Sequence, residues 1–181
     1  MNAVDMLFKR RETTPVRCGE VIIGGESPVS IQTMTTTDTR DVQKTTAEIQ
    51  EAVEAGADIV RVAVPDKEAA EAIASIKRQV KCPIVADIHY DYRLAIMALE
   101  NGADKVRVNP GNIGGPENLL AVAMKAKERG AAIRIGVNSG SVPKDLIARY
   151  GSPTPEAIVE AAKRTLDFLE DHQATGIVLS L

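Results

Sequence analysis

The chain has 181 residues, enough for one substantial hydrophobic core and too few for two ordinary domains to be the default. Apolar residues make up 44% and charged residues 26%, the balance of a globular protein in water. A net charge of −3, only 3% aromatics and no basic run argue against a general nucleic-acid binder. The opening "MNAVDMLFKRRETT" lacks the roughly 7–15-residue apolar stretch of a signal peptide. No run approaches the roughly 20 residues of a membrane span, so a cytoplasmic protein is expected. Cys18 and Cys82 stand far apart, match no C-x-x-C-type metal spacing, and read as free thiols.

Residues 1–28 form an N-terminal segment. Within it "VRCGEVIIGGESPVS" reads as a small hairpin turning near Cys18–Glu20, placed to close the bottom of a barrel. From residue 29 to 181, strand-like and helix-like runs alternate. The expected strands are Val29–Met34, Ile59–Pro65, Ile84–His89, Lys105–Asn109, Ala132–Asn138 and Gly176–Leu181. Between the first pairs lie amphipathic stretches: Val42, Ile49 and Val53 share one helical face, and Ile73, Ile76 and Val80 another. "YRLAIMALENG", "PENLLAVAMKAKERG" and "PEAIVEAAKRTLDFLEDH" supply later helices. Pro116 and Pro155 stand where a first turn tolerates proline, and Gly102 and Gly130 where a C-terminal cap favours glycine. Regular β-α alternation means parallel strands joined by crossover helices, either doubly wound or in a (β/α)8 barrel.

The frame "GADIVRVAV" (Gly56–Val64) returns two βα units later as "GADKVRVNP" (Gly102–Pro110), each time with an arginine inside a valine-rich strand. Side chains alternate faces along a strand. Val60, Val62 and Val64 therefore oppose Ile59, Arg61 and Ala63. Likewise Ile84, Ala86 and Ile88 oppose Val85, Asp87 and His89; Val106 and Val108 oppose Arg107 and Asn109; Ile133, Ile135 and Val137 oppose Arg134, Gly136 and Asn138. One face is aliphatic and the other polar in four consecutive strands. A doubly wound sheet buries both faces under helices, whereas a barrel turns one face to its interior, where its chemistry sits. The parity favours an incomplete (β/α)8 TIM barrel of about six βα units with an N-terminal β-hairpin.

On the inner face Arg61, Arg107 and Arg134 meet Asp87 as the one clear acid. A buried charge without a partner costs on the order of several kcal/mol, and a multiply charged anion would remove that cost. The alternative is a purely internal salt-bridge network. Glycine- and serine-rich turns, "NPGNIGGPEN" and "NSGSVPKD", precede helices and suit phosphate oxygens. Guanidinium forks match phosphate geometry, so the inferred ligand is a small phosphate ester. His89, two residues from Asp87, is a proton-donor candidate, a ligand partner or a structural histidine. His172 lies in a polar helix end and reads as solvated.

"SIQTMTTTDTRD", "GADIVRVAVP", "PIVADIHYDYRLA", "KVRVNPGNIG" and "RIGVNSGS", in this order, closely resemble the 4-hydroxy-3-methylbut-2-enyl diphosphate synthase family, iron–sulfur enzymes of the non-mevalonate isoprenoid pathway. The resemblance covers nearly all of the chain from about residue 10. It implies a (β/α)8 barrel followed by a smaller domain that holds a [4Fe–4S] cluster, and a homodimer as the full-length assembly. It also implies reductive ring opening and dehydroxylation of 2-C-methyl-D-erythritol 2,4-cyclodiphosphate, with electrons from reduced flavodoxin or ferredoxin. Carried onto this sequence, Arg61, Arg107 and Arg134 would clamp the diphosphate, and Asp87, His89, Asn109, Asn112 and Asn138 would line the cavity.

The family pattern continues past "GIVLSL" with a lysine-containing motif, further βα units and the cluster domain. Cys18 and Cys82 match no cluster position. The expectation is an N-terminal fragment with exposed edge strands, inactive alone, binding no cluster of its own. Two rivals are a different phosphate-binding barrel resembling dihydropteroate synthase and a non-catalytic binding remnant.

Overall fold

The computed structural model describes residues 11–181; residues 1–10, the start of the 1–28 segment and most of its opening stretch, lie outside the described residues. Two short antiparallel strands come first, β1 (Val16–Cys18) and β2 (Val21–Ile23), turning through Gly19 at φ +57°. Six parallel strands follow: β3 (Gln32–Met34), β4 (Ile59–Ala63), β5 (Ile84–Asp87), β6 (Lys105–Val108), β7 (Ala132–Gly136) and β8 (Ile177–Ser180). They pair in strict chain order from β3 to β8. A doubly wound sheet reverses its order at a switch point. Here every crossover advances by one strand in the same direction, which is how a barrel wall is built.

The crossovers are α1 (Val42–Glu54), α2 (Lys67–Lys77), α3 (Tyr92–Glu100), α4 (Pro116–Arg129) and the pair α5 (Lys144–Tyr150) and α6 (Pro155–Asp171). Asp41, Asp66, Asp91 and Thr154 each accept a first-turn N–H of α1, α2, α3 and α6, caps worth about 1 kcal/mol apiece. Ile49, Ile73, Leu99, Val122, Leu146 and Leu169 from these helices pack in one cluster with Val60, Val62, Ile84, Val106, Ile133 and Ile135 from the strands. The aliphatic parity face is thus the helix-covered face.

The twice-used frame has a structural half and a strand half. Gly56 and Gly102 take φ of +103° and +94°, which only glycine adopts without strain, and end α1 and α3. Ala57 and Ala103 then donate back to Ala52 and Ala98. Asp58 accepts the Ile31 N–H at 2.7 Å, and Asp104 accepts the Ile84 N–H at 2.7 Å. Each aspartate ties its new strand to the start of the previous one. The arginine follows three residues later, on the other face of the sheet.

Several expected boundaries shift. Val29 and Ile31 lie outside β3 and are 80% and 61% exposed, because β3 is an edge strand bonded on one side only. β4 stops before Pro65, which has no N–H to donate, and β7 stops at Gly136 because Asn138 opens a 3-10 turn over Ser139–Ser141. On α1 the buried residues are Thr45, Thr46 and Ile49, with Val42 packed alongside, whereas Val53 is 41% exposed. The helix α5, inside the stretch between the fifth strand and α6, was not anticipated.

Candidate functional site

The polar parity face is concave and open, with the hairpin as its floor. Cys18 is fully buried there against Ile59 and Val85, with Val21 and Ile23 packed beside them. Above this floor, register places Asp87 of β5 opposite Arg107 of β6, and Arg107 opposite Arg134 of β7, so three charged side chains share one row. Arg61 of β4 starts one step lower, opposite Val85. Its Nε donates to the Met34 sulfur at 3.1 Å and lies 3.8 Å from Asp87 Oδ2.

Asp87 is buried and heavily shared. Its Oδ1 accepts from Arg107 Nη1 at 3.3 Å, and its Oδ2 lies 3.5 Å from His89 Nε2. One carboxylate therefore faces two guanidiniums and an imidazole. Arg134 has no carboxylate within ion-pair distance among the described residues; its Nη2 donates to the Ser180 hydroxyl at 2.8 Å. Burial, then the charges of Arg61 and Arg107, push its proton affinity down, with Asp87 opposing. The internal salt-bridge alternative accounts for Arg61 and Arg107 and leaves Arg134 over.

A further cation lies beneath. Lys105 is 2% exposed, and no hydrogen bond or ion pair reaches its ammonium from the described residues. Burial lowers its pKa; Cys18 opposes that shift, and Arg134 and Arg61 add to it. Parity marks Lys105 as inward, two residues before Arg107, yet a lysine at the start of a strand reads as solvated unless the hairpin's position is known. Ser180 and Met34 were likewise missed, since both meet the arginines only through cross-strand register.

The asparagines divide. Asn109 is buried and its Oδ1 accepts from Gly111 N at 3.1 Å; exposed Asn138 repeats this turn toward Gly140 N at 3.1 Å. Asn112 is exposed on the loop after β6, its N–H bound to the Asn109 carbonyl. These bonds engage the N–H groups of Gly111, Asn112, Gly140 and Ser141, so fewer loop amides are left for a ligand than the two turns suggested. The α4 N-terminus at Gly115 has no side-chain cap. His89 stands half exposed at the rim of the concave face. His172 is exposed at the end of α6. An apolar cavity of about 270 Å³ lies to one side, between the α4 and α6 helices and the loop after β7. It shares Asn109 with this face but none of the arginines.

Among the described residues no group of three or more His, Cys, Asp or Glu could hold a metal. Burial pushes the Cys18 thiol up to about 11 and raises Cys82 as well, and two cysteines fall short of the four thiolates that hold a [4Fe–4S] cluster. The cysteines of this chain do not fit an iron–sulfur cluster.

Parallel βα order, a helix-covered apolar face and a concave face carrying three guanidiniums over one carboxylate define an incomplete barrel with a charged interior. The chain belongs to the GcpE TIM-barrel domain family, which matches residues 13–181. It is 53% identical over 174 residues to the 4-hydroxy-3-methylbut-2-en-1-yl diphosphate synthase (flavodoxin) of Ruminiclostridium cellulolyticum, covering 96% of this chain and 49% of that one. The enzyme of the same name from Brevibacillus brevis is 55% identical over 175 residues, covering 97% and 49%. The chain thus spans about half the length of the curated relatives it matches. A crystal structure of Yersinia pestis dihydropteroate synthase superposes with a TM-score of 0.62 over 91% of this chain and 61% of that one. At 11% identity that likeness shows the fold alone.

Proposed function

We propose that this chain is the substrate-binding barrel of a 4-hydroxy-3-methylbut-2-enyl diphosphate synthase, an oxidoreductase of isoprenoid biosynthesis. Its substrate is 2-C-methyl-D-erythritol 2,4-cyclodiphosphate. The observation that carries the reading is the imbalance on the concave face: Arg61 and Arg107 share the single carboxylate of Asp87 there, and Arg134 beside them has no carboxylate partner among the described residues. A doubly phosphorylated ring supplies the missing negative charge. Arg107 and Arg134, paired across neighbouring strands, each bring a guanidinium to it, and planar guanidinium gives two bonds per phosphate where geometry allows. With Asn109 and Asn138 Oδ1 engaged in turns, their NH2 groups are the part of each side chain left to meet the substrate.

Ring opening breaks a carbon–oxygen bond and leaves the phosphate oxygen with the departing pair. The accompanying loss of a hydroxyl as water requires a proton at the hydroxyl oxygen, and the two steps together take up two electrons. His89, held near Asp87 at the open rim, is the candidate donor. The reducing equivalents come from outside this barrel, and the names of the relatives support reduced flavodoxin as their source. The rival dihydropteroate synthase reading has the fold in its favour and only 11% sequence identity.

The test is calorimetric titration of the full-length protein with the cyclodiphosphate. Arg107→Ala should weaken binding about tenfold to a hundredfold, the loss of one or two charge-assisted hydrogen bonds. Arg17→Ala, whose exposed guanidinium pairs only with exposed Glu20 and the Gly19 carbonyl, should leave it unchanged. Equal affinities of the two variants would defeat the assignment.

A further inference from the structure

Gly136 ends β7, buried, on the concave face two residues beyond Arg134. Its backbone does not explain it. Its φ lies outside the left-handed region, so any residue could adopt it, and glycine inside a strand only adds chain entropy to be lost on folding. The space does explain it. A Cβ on Gly136 would stand 3.0 Å from Arg107 Nε, 3.2 Å from Nη2 and 3.4 Å from Cζ. Glycine in a strand commonly marks close approach by another group, and here that group is a guanidinium reaching across from the neighbouring strand.

Arg107 is thereby bracketed. Nη1 is drawn toward Asp87 on β5, while the Nε and Nη2 side of the fork lies against bare backbone on β7. Two strands on opposite sides fix both the position and the plane of one guanidinium. We propose that Gly136 is a positioning residue: by carrying no side chain it seats Arg107 across β7 and sets the plane in which that arginine meets a phosphate. The inference rests on the reading of Arg107 as a phosphate ligand.

A methyl at this position pushes the Nε–Cζ end off β7 and turns the fork, while nothing in the backbone resists alanine. Gly136→Ala is therefore expected to weaken cyclodiphosphate binding by the full-length protein about tenfold, the cost of misaligning one charge-assisted hydrogen bond. Its melting temperature should be unchanged or higher, since alanine restricts the unfolded chain.

The deciding comparison is made in an Arg107→Ala background, where the methyl meets no guanidinium. There Gly136→Ala should cost no further affinity, the non-additivity of two residues acting as one unit. Losses that multiply in the double variant overturn the proposal, as does wild-type affinity in Gly136→Ala when Arg107→Ala binds weakly. If Arg107→Ala itself binds like wild type, the phosphate reading fails and the inference falls with it, a separate outcome. If Gly136→Ala folds poorly, Arg107→Ala should restore its melting temperature; failure to do so also counts against the clash.

Discussion

The two faces of one sheet show how a strand divides its work. Toward the helices, Val60, Val62, Ile84, Ala86, Val106, Val108, Ile133 and Ile135 are completely buried, with no polar atom among their side chains. Toward the barrel interior, the alternate residues include three arginines and a lysine over one shared carboxylate, partly open to water. The first face supplies the hydrophobic free energy, at about 1.5–3 kcal/mol per large buried side chain. The second spends part of that stability on like charges held close together. The lesson is that stability and binding can be altered separately in this protein, residue by residue along the same strand.

The largest expected effect breaks the apolar face. Ile133→Ala removes a fully buried side chain and should cost about 2–5 kcal/mol, read as a fall in the denaturation midpoint. Its neighbour Arg134, one residue on and facing the other way, should behave in the opposite sense. Arg134→Ala leaves no carboxylate unpaired among the described residues and removes a charge that Arg61 and Arg107 repel. Its melting temperature should hold or rise, while cyclodiphosphate affinity falls about tenfold or more. A stability loss as large as that of Ile133→Ala would contradict the division of labour.

The barrel floor sharpens the comparison through pH. The Cys18 thiol is raised to about 11 from 9.0 by burial, so the stability it contributes is present below about 9 and lost as pH rises through about 11. Lys105 is shifted the other way. Its burial penalty is in full force below its lowered pKa and is relieved as pH climbs toward 10.5, so its contribution to stability rises with pH. Relative to wild type, melting temperatures followed upward from about pH 8.5 should therefore fall less in Cys18→Ala and more in Lys105→Met. Identical pH slopes in the three proteins would remove these groups from the buried floor. The smallest effect belongs to the surface: Arg164→Ala breaks exposed contacts to Asp145 and Glu160, and a change of about 0.5 kcal/mol or less in stability is expected.

Period-two alternation is a local property, and so it was legible. Reading it assigned the faces of Arg61, Asp87, Arg107 and Arg134, and with them the barrel, before any register was known. Register itself is a property of pairs of strands. That Asp87, Arg107 and Arg134 stand in one row, that Ser180 meets Arg134, and that Met34 meets Arg61 all follow from how strands pair. No single strand encodes them. Gly136 was visible on the inner face without a reason for being glycine, because the reason is a side chain from β6.

Lys105 escaped notice for a different cause. Its burial is conferred by the hairpin, a segment distant in sequence whose seat under the barrel the turn residues alone could not fix. Asn109 and Asn138 followed the same confusion of roles in the opposite direction. Asparagine after a strand serves as a ligand or builds a turn, and here the Oδ1 of each builds the turn.

The most direct measurement is a crystal structure of the full-length protein with the cyclodiphosphate bound. The account predicts both phosphates on the concave face, within hydrogen-bonding distance of the Arg61, Arg107 and Arg134 guanidiniums, with Arg107 still lying across Gly136. Phosphates found elsewhere, on the loop amides or in the apolar cavity beside α6, with the three arginines paired only to protein groups, would contradict it.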